Sequence, residues 1–345
     1  MENEPITTKS LSSDTIKRII GTKVGIIAGI VFLSMFFAFL SPNFLSPTNL
    51  FNITRQQSIY VLLALGMTQV IVIGNIDLSV GSCVALCSVS CALFLKEVNN
   101  AFLGILLTLG VGALLGFING AAVAYFKMPP YIVTLATATA FKGAAMLITG
   151  GYPVNVNNPV ISSIGRDNIF GFIPTPFIIV LAFVAITWVI LNRMRLGRHI
   201  YAVGGNREAA HLAGVNVKGV ITYVHVMSGM LCGAAAIILV GRLATGAPNT
   251  GTGYEGQAIS AAVIGGAVFG MGTGTAVGAL LGALFIGVLN NGMTLLRLST
   301  YWQDVVRGCV IFLVVLFSVI SSASSGNRRL FKNIFSCVKA KLRNR

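Results

Sequence analysis

Asp77, Ser79 and Gly81 stand at alternate positions in the string Asn75-Ile-Asp-Leu-Ser-Val-Gly81, just ahead of a long apolar run. A carboxylate or hydroxyl there has two uses: it accepts hydrogen bonds from the orphan amides of a helix start, or it holds an ion. The very short connection preceding Asp77 favours capping. Catalysis finds no comparable foothold. His199, His211 and His225 form no H-x-x-x-H or H-x-x-E-H arrangement, and no Ser-His-Asp or Cys-His grouping is legible. No G-x-x-x-x-G-K-[ST] loop occurs, so the chain has no P-loop to cradle ATP phosphates.

A second patterned segment reads Leu196-Gly-Arg-His-Ile-Tyr-Ala-Val-Gly-Gly-Asn206, then Arg207-Glu-Ala-Ala-His-Leu-Ala-Gly-Val215. Asn206 suits an N-cap, 207–213 the interior of a short helix, and Gly214 its left-handed C-terminal position. Ala209, Leu212 and Ala213 then share a small apolar face. That face fits a groove on a partner protein or the headgroup layer of a membrane.

The elements that position these residues are apolar. Hydrophobic residues make up 55% of the 345 positions and charged ones only 10%, against about 25% charged in a soluble domain. A soluble fold is excluded on that balance. Ten apolar stretches approach the ~20 residues that cross a bilayer as a helix: 22–40, 58–74, 78–95, 101–126, 130–148, 173–191, 219–240, 258–271, 275–296 and 303–320. The expected organisation is an N-terminal tail over 1–21, a membrane domain over 22–320 with a polar loop at 192–218, and a basic tail over 321–345. The first stretch has no A-x-A-like cleavage site after it and reads as a retained helix.

The formal charge of +15 raises nucleic acid as a partner, but position explains it better. Of 24 Lys and Arg residues, 16 fall in 1–23, 192–218 and 321–345. The positive-inside rule puts such segments in the cytoplasm. They follow an even number of crossings from one another, so charge and helix count agree, with both termini cytoplasmic. Cys83, Cys87 and Cys91 lie on one face of the third stretch, and Cys232 and Cys309 also fall in helices, as packing residues rather than disulfides or metal ligands. Lys142 and Arg307 fall inside apolar stretches and must face protein or water. Asp304 is spaced to pair with Arg307.

Gly112, Gly116 and Gly120 form one GxxxGxxxG run, and Gly274, Gly278 and Gly282 form another. Such faces let helix backbones approach closely in lipid, although a pathway or a subunit contact would use them too. Val111–Gly116 and Val277–Gly282 both read VGALLG, and Asn119-Gly120 and Asn291-Gly292 follow them. The two stretches are five crossings apart, so an internal duplication would be inverted, a recurrent transporter plan.

With these strings in view, the sequence resembles the permease subunits of bacterial ATP-binding-cassette importers of the ribose, xylose and related sugar type. The resemblance rests on Asn75–Gly81, Pro130-Tyr-Ile-Val-Thr-Leu135, Leu196–Asn206 with Glu208-Ala-Ala210, Gly251-Thr-Gly-Tyr-Glu255 and Leu289-Asn-Asn-Gly292. Asn75 departs from the Gly that the family usually shows there. The resemblance implies an all-α integral membrane fold of about ten helices in two inverted five-helix halves, similar to the vitamin B12 importer permease. It further implies a second permease subunit, identical or alike, an extracytoplasmic sugar-binding protein, and a cytoplasmic ATP-binding subunit that uses ATP and Mg while this chain binds neither. Arg207, Glu208, Ala209, Ala210, Leu212, Gly214 and Val215 match the segment that couples to that ATPase.

Sugar recognition combines aromatic faces with amide or hydroxyl groups. That chemistry makes Tyr60, Asn119, Tyr131, Tyr254, Asn290, Asn291 and Tyr301 candidates for the solute pathway. Each Tyr also suits the aromatic belt of a membrane interface, and each Asn a bond between helices. An ion-driven secondary transporter is the competing reading, with Asp77 and Asp304 as its available intramembrane carboxylates. A permease for a nucleoside or a branched-chain amino acid is a further alternative.

Overall fold

Ser46 opens the central helix: its side chain accepts a hydrogen bond from the Asn49 amide, and Pro47 at the first helical position presets φ. The resulting α2 (Pro47–Val72) is buried without interruption from Gln57 to Val72, so it is wrapped by protein on every side. In the computed structural model, which describes residues 8–169 and 171–326, α2 is preceded by α1 (Thr8–Leu40) and followed by α3 (Val80–Glu97), α4 (Ala101–Tyr125) and α5 (Pro130–Thr149). Then come α6 (Pro159–Arg166), α7 (Thr175–Arg193), α8 (Arg195–Gly205), α9 (Arg207–Leu212), α10 (Val217–Leu243), α11 (Tyr254–Ile264) and α12 (Ala276–Leu295). These lie in one compact unit ending at Leu296, and α13 (Thr300–Gly326) belongs to a second.

Seven described helices are long and apolar enough to cross a membrane: α1 over 23–40, α3, α4, α5, α7, α10 and α12. The fold is all-α, apart from two-residue strands β1 (Val154–Asn155), β2 (Asn168–Ile169), β3 (Ile173–Pro174) and β4 (Thr245–Gly246). β1 pairs with β4 and β2 with β3, both antiparallel.

Glycine sets how the core closes. A Cβ on Gly112 or Gly116 of α4 would meet the backbone oxygen of Gly229 or His225 on α10. Gly278 and Gly282 of α12 press in the same way on Gly265 and on the Ala261 carbonyl at the end of α11. Both VGALLG strings are therefore packing faces. α10 also lies against α2 and α3 and is buried without a break from Leu231 to Gly241, whereas α5 buries only Val133, Thr134, Phe141 and Ala145.

Loops collect at two ends. At one, β1 meets β4, Asn158 Nδ2 donates to Asn99 Oδ1 at 2.8 Å, Arg166 Nε donates to the Arg242 carbonyl at 2.9 Å, and Arg55 Nη2 donates to Asn168 Oδ1 at 2.7 Å. At the other, Tyr201 Oη donates to the Gly274 carbonyl at 2.9 Å, Arg207 Nη2 donates to the Ile73 carbonyl at 2.8 Å, and the Gly270 amide donates to the Ile71 carbonyl at 3.2 Å.

One expectation is corrected, and the expected tails and polar loop prove partly helical. The stretch 258–271 is not a spanning helix: α11 has 11 residues, about 16 Å at 1.5 Å per residue, roughly half the hydrocarbon thickness. Gly265-Gly266 ends it, with Gly266, Gly270 and Gly272 at φ of 88°, 63° and 60°, a backbone that other residues rarely adopt. The tail 1–21 is helical from Thr8. Part of the 192–218 loop is α8, which buries Ile200 and Val203. The tail 321–345 is helical as far as Gly326, and the remainder lies outside the described residues.

Candidate functional site

The short α11 leaves the stretch after β4 non-helical where α3 passes beside it. Gly246 abuts the Ser88 carbonyl, Thr250 Oγ1 comes to 3.5 Å from Ser88 Oγ, and Gly251 sits against Gly81, each glycine leaving no room for a Cβ on the other. Gly253, at φ 81°, turns the chain into α11. The N-terminal ends of α3 and α11 thus meet, with Gly81 and Gly251 buried at the contact and Thr252 and Gly253 exposed beside it. Backbone that leaves the helix at membrane depth is tolerated where protein covers it or where it lines a cavity, and half-helix starts mark solute sites in transporters.

Beside this joint, the rings of Tyr60 on α2 and Tyr254 on α11 meet edge-to-face, with centroids 5.0 Å apart. Gln257, one turn on from Tyr254, accepts from Asn290 Nδ2 of α12 at 3.5 Å. Of the sequence-derived pathway residues, Tyr60, Tyr254 and Asn290 converge here. Tyr131 does not: it is exposed at the start of α5. Asn291 and Asn49 exchange two amide bonds at 2.9 Å each, pinning α12 to α2. Tyr301 is exposed and stands in the second unit.

Asn119 belongs to a different cluster. Its Nδ2 donates to Ser79 Oγ at 2.7 Å, and Ser79 donates from Oγ at 2.6 Å and from its backbone amide at 2.9 Å to Asp77 Oδ1. Asp77 therefore satisfies an amide at the start of α3, whereas the Ser79 side chain makes no capping bond. His225 Nδ1 on α10 lies 3.9 Å from Asp77 Oδ2. Asn75 Nδ2 lies 3.2 Å from His225 Nε2, and Asn75 Oδ1 accepts from Arg207 Nη2 at 2.6 Å. His225 and Gln257 were invisible as site residues, since only position within apolar surroundings marked them.

At the Arg207 end the local chemistry is as expected. Asn206 Oδ1 accepts from the Ala209 amide at 2.9 Å, and Gly214 takes φ 82° after α9. Ala209, Leu212 and Ala213 are exposed, Leu212 at 87%. Ala210, which the resemblance puts in the same coupling segment, is buried at 5% and faces the protein, and its carbonyl accepts from the Val215 amide at 3.0 Å. Beside Arg207 opens a cavity of about 330 Å³ lined by residues including Asn75, Pro130, Asn206 and Phe269. Partial burial lowers the pKa of the Arg207 guanidinium, which starts too high to lose its charge, and raises that of Tyr201.

Asp304 Oδ1 accepts from Arg307 Nη1 at 2.9 Å on α13. Cys83, Cys87, Cys91 and Cys232 are buried free thiols and Cys309 an exposed one. Among the described residues no group of three His, Cys, Asp or Glu could hold a metal ion.

Residues 49–315 match the family model described as branched-chain amino acid transport system / permease component. The ribose import permease of Escherichia coli strain K12 is 42% identical over 282 residues, covering 80% of this chain and 87% of its own length. That of Bacillus subtilis strain 168 is 42% identical over 304 residues, 87% of this chain and 94% of its own. The D-allose transport system permease of Escherichia coli strain K12 is 37% identical over 281 residues, 81% of this chain and 86% of its own. No solved structure matches. Likeness sustained from α2 into α13 at these identities makes the chain a member of this permease family.

Proposed function

We propose that this chain is the membrane-spanning permease subunit of an ATP-driven importer that carries a monosaccharide from an extracytoplasmic binding protein to the cytoplasm by alternating access. The observation that carries this reading is the 42% identity to ribose import permeases over most of both chains, alongside permeases named for galactose and allose. No bond is broken in the chain itself. ATP and Mg belong to a cytoplasmic ATPase, and a second permease subunit, identical or similar, completes the pathway.

In this reading the bundle crosses the inner membrane ten times, with both termini cytoplasmic and two inverted halves like those of the vitamin B12 importer permease. The eighth crossing is the non-helical stretch after β4 followed by α11. Tyr60, Tyr254, Gln257 and Asn290 face the sugar. The exposed side of α9 seats in the ATPase: Ala209 and Leu212 supply contact, Glu208 suits the helix N-terminus, and Gly214 and Val215 close the turn. Arg207 and Ala210 hold α9 to the bundle.

Reconstitution tests it. Vesicles holding the permease with its ATPase and binding protein are expected to accumulate monosaccharide only when ATP is supplied. Uptake driven by a proton or sodium gradient with neither ATP nor ATPase present would overturn the reading in favour of ion coupling.

A further inference from the structure

Asn75 and His225 lie 150 positions apart in sequence, both at 0% exposure, and the structure sets them side by side between α9 and the start of α3. Hydrogen-bond polarity fixes what each atom does. An arginine guanidinium only donates, so the atom of Asn75 that faces Arg207 at 2.6 Å is its carbonyl oxygen. The amide nitrogen is thereby turned to His225 Nε2, and an NH2 group only donates. Nε2 must accept, which leaves the ring proton of a neutral imidazole on Nδ1, the nitrogen that faces Asp77 Oδ2 at 3.9 Å.

From the opposite side, Asn119 on α4 donates to Ser79, and Ser79 donates twice to Asp77 Oδ1. Hydrogen-bond donors thus run from Arg207 through Asn75 to His225, whose Nδ1 stands 3.9 Å from Asp77 Oδ2, and from Asn119 through Ser79 to Asp77 Oδ1. Ionisable groups buried this deeply in a membrane protein are costly and are retained where they act. The network is also incompletely paired: His225 Nδ1 and Asn119 Oδ1 are buried without a hydrogen-bond partner, so it has room to re-pair.

We propose that Asn75 is a positioning residue that makes the tautomer of buried His225, and through it the Asp77 hold on the start of α3, depend on whether Arg207 of α9 is engaged. Withdrawal of Arg207 frees the Asn75 amide to rotate, so Nε2 loses its obligatory donor and the proton can move from Nδ1 to Nε2. The start of α3 is where Gly81 meets Gly251, so the relay links α9 to the joint between α3 and α11. Its role in transport rests on the reading of α9 as the ATPase contact, but the tautomer dependence does not.

The sequence contains three histidines, which makes the ring directly observable. Full-length permease carrying His199→Gln and His211→Gln, labelled with ¹⁵N-histidine and placed in lipid bilayers, is expected to show a protonated Nδ1 and an unprotonated Nε2. Arg207→Ala and Asn75→Ala are expected to populate the Nε2-protonated form, and Arg207→Lys, still a pure donor, to restore the first spectrum. A wild-type ring protonated at Nε2, or a spectrum indifferent to Arg207→Ala, overturns the proposal whatever α9 docks on. In the assembled transporter, Asn75→Ala is expected to lower sugar moved per ATP roughly two- to thirtyfold while the ATPase stays bound. An unchanged ratio overturns the transmission step, and loss of ATPase binding on changing the exposed face of α9 is a separate readout of the docking reading.

Discussion

Leu212→Ser tests the docking of α9 with little ambiguity, because Leu212 is 87% exposed and its removal leaves no hole in the bundle. Fully burying a leucine side chain contributes about 1.5–3 kcal/mol. If the partner covers what is exposed here, the substitution forfeits about 1.3–2.6 kcal/mol of association, roughly a ten- to eightyfold rise in Kd at about 1.4 kcal/mol per tenfold. Stability should move by no more than about 0.5 kcal/mol, as for an exposed position elsewhere. The assay is a titration of purified ATPase subunit against the permease in lipid nanodiscs, with thermal unfolding in parallel. Unchanged affinity at unchanged stability would refute the argument, leaving the apolar face to the headgroup layer. Ala210→Arg answers a different question: at 5% exposure the arginine has to force the helix off the bundle, so lost transport there reports misfolding as readily as lost docking.

Gly116→Ala should cost about 1–3 kcal/mol through overpacking, because its Cβ lands on the His225 carbonyl. Gly110→Ala on the same helix, with nothing near its Cβ, should be neutral or stabilising by up to about 1 kcal/mol; thermal melting compares them directly. Asn49→Ala and Asn291→Ala should each cost about 1–3 kcal/mol by orphaning the other amide. The double variant should cost less than the two together by about 0.5–3 kcal/mol, and a double-mutant cycle with no coupling would dissolve the pair. Lys142 sits exposed within α5, where lipid contact would cost about 2.5–3.5 kcal/mol. Lys142→Leu should leave stability unchanged where water or the proposed second subunit covers the amine, and a gain of that size on melting would place it in lipid.

The spanning helices and the α9 cap were legible because each depends on neighbours in sequence. Apolar run length places a helix whatever packs on it, and Asn206 and Gly214 act within a few residues of themselves. The eighth stretch failed for a related reason. Hydropathy averages Ala258–Met271 into one apolar run, but the break depends on backbone angle at Gly265-Gly266, which hydropathy does not register. Asn75 stood out as a departure from the usual Gly, yet its partners Arg207 and His225 lie 132 and 150 positions away. Asn119 read as a pathway residue by its side-chain type; only its packing against Ser79 reveals that its amide is already engaged.

The break ahead of α11 carries a cost that narrows what the bundle can do. In the proposed ten-crossing arrangement each unsatisfied backbone polar group in hydrocarbon costs several kcal/mol, and the stretch from β4 to Gly253 is sheltered by α3 where Gly246 and Gly251 touch the backbone of Ser88 and Gly81. Alanine at either Gly81 or Gly251 would part the two chains and expose those groups. α11 is in turn held to α12 by backbone approach at Gly265–Gly278 and Ala261–Gly282, so it cannot shift alone. α12 is pinned to α2 by the Asn49–Asn291 pair and by the close approach of Gly287 to the Gln57 side chain, so α2, α11 and α12 are locked to one another. The edge-to-face contact of Tyr60 and Tyr254 at 5.0 Å therefore sits within one tightly joined group of helices.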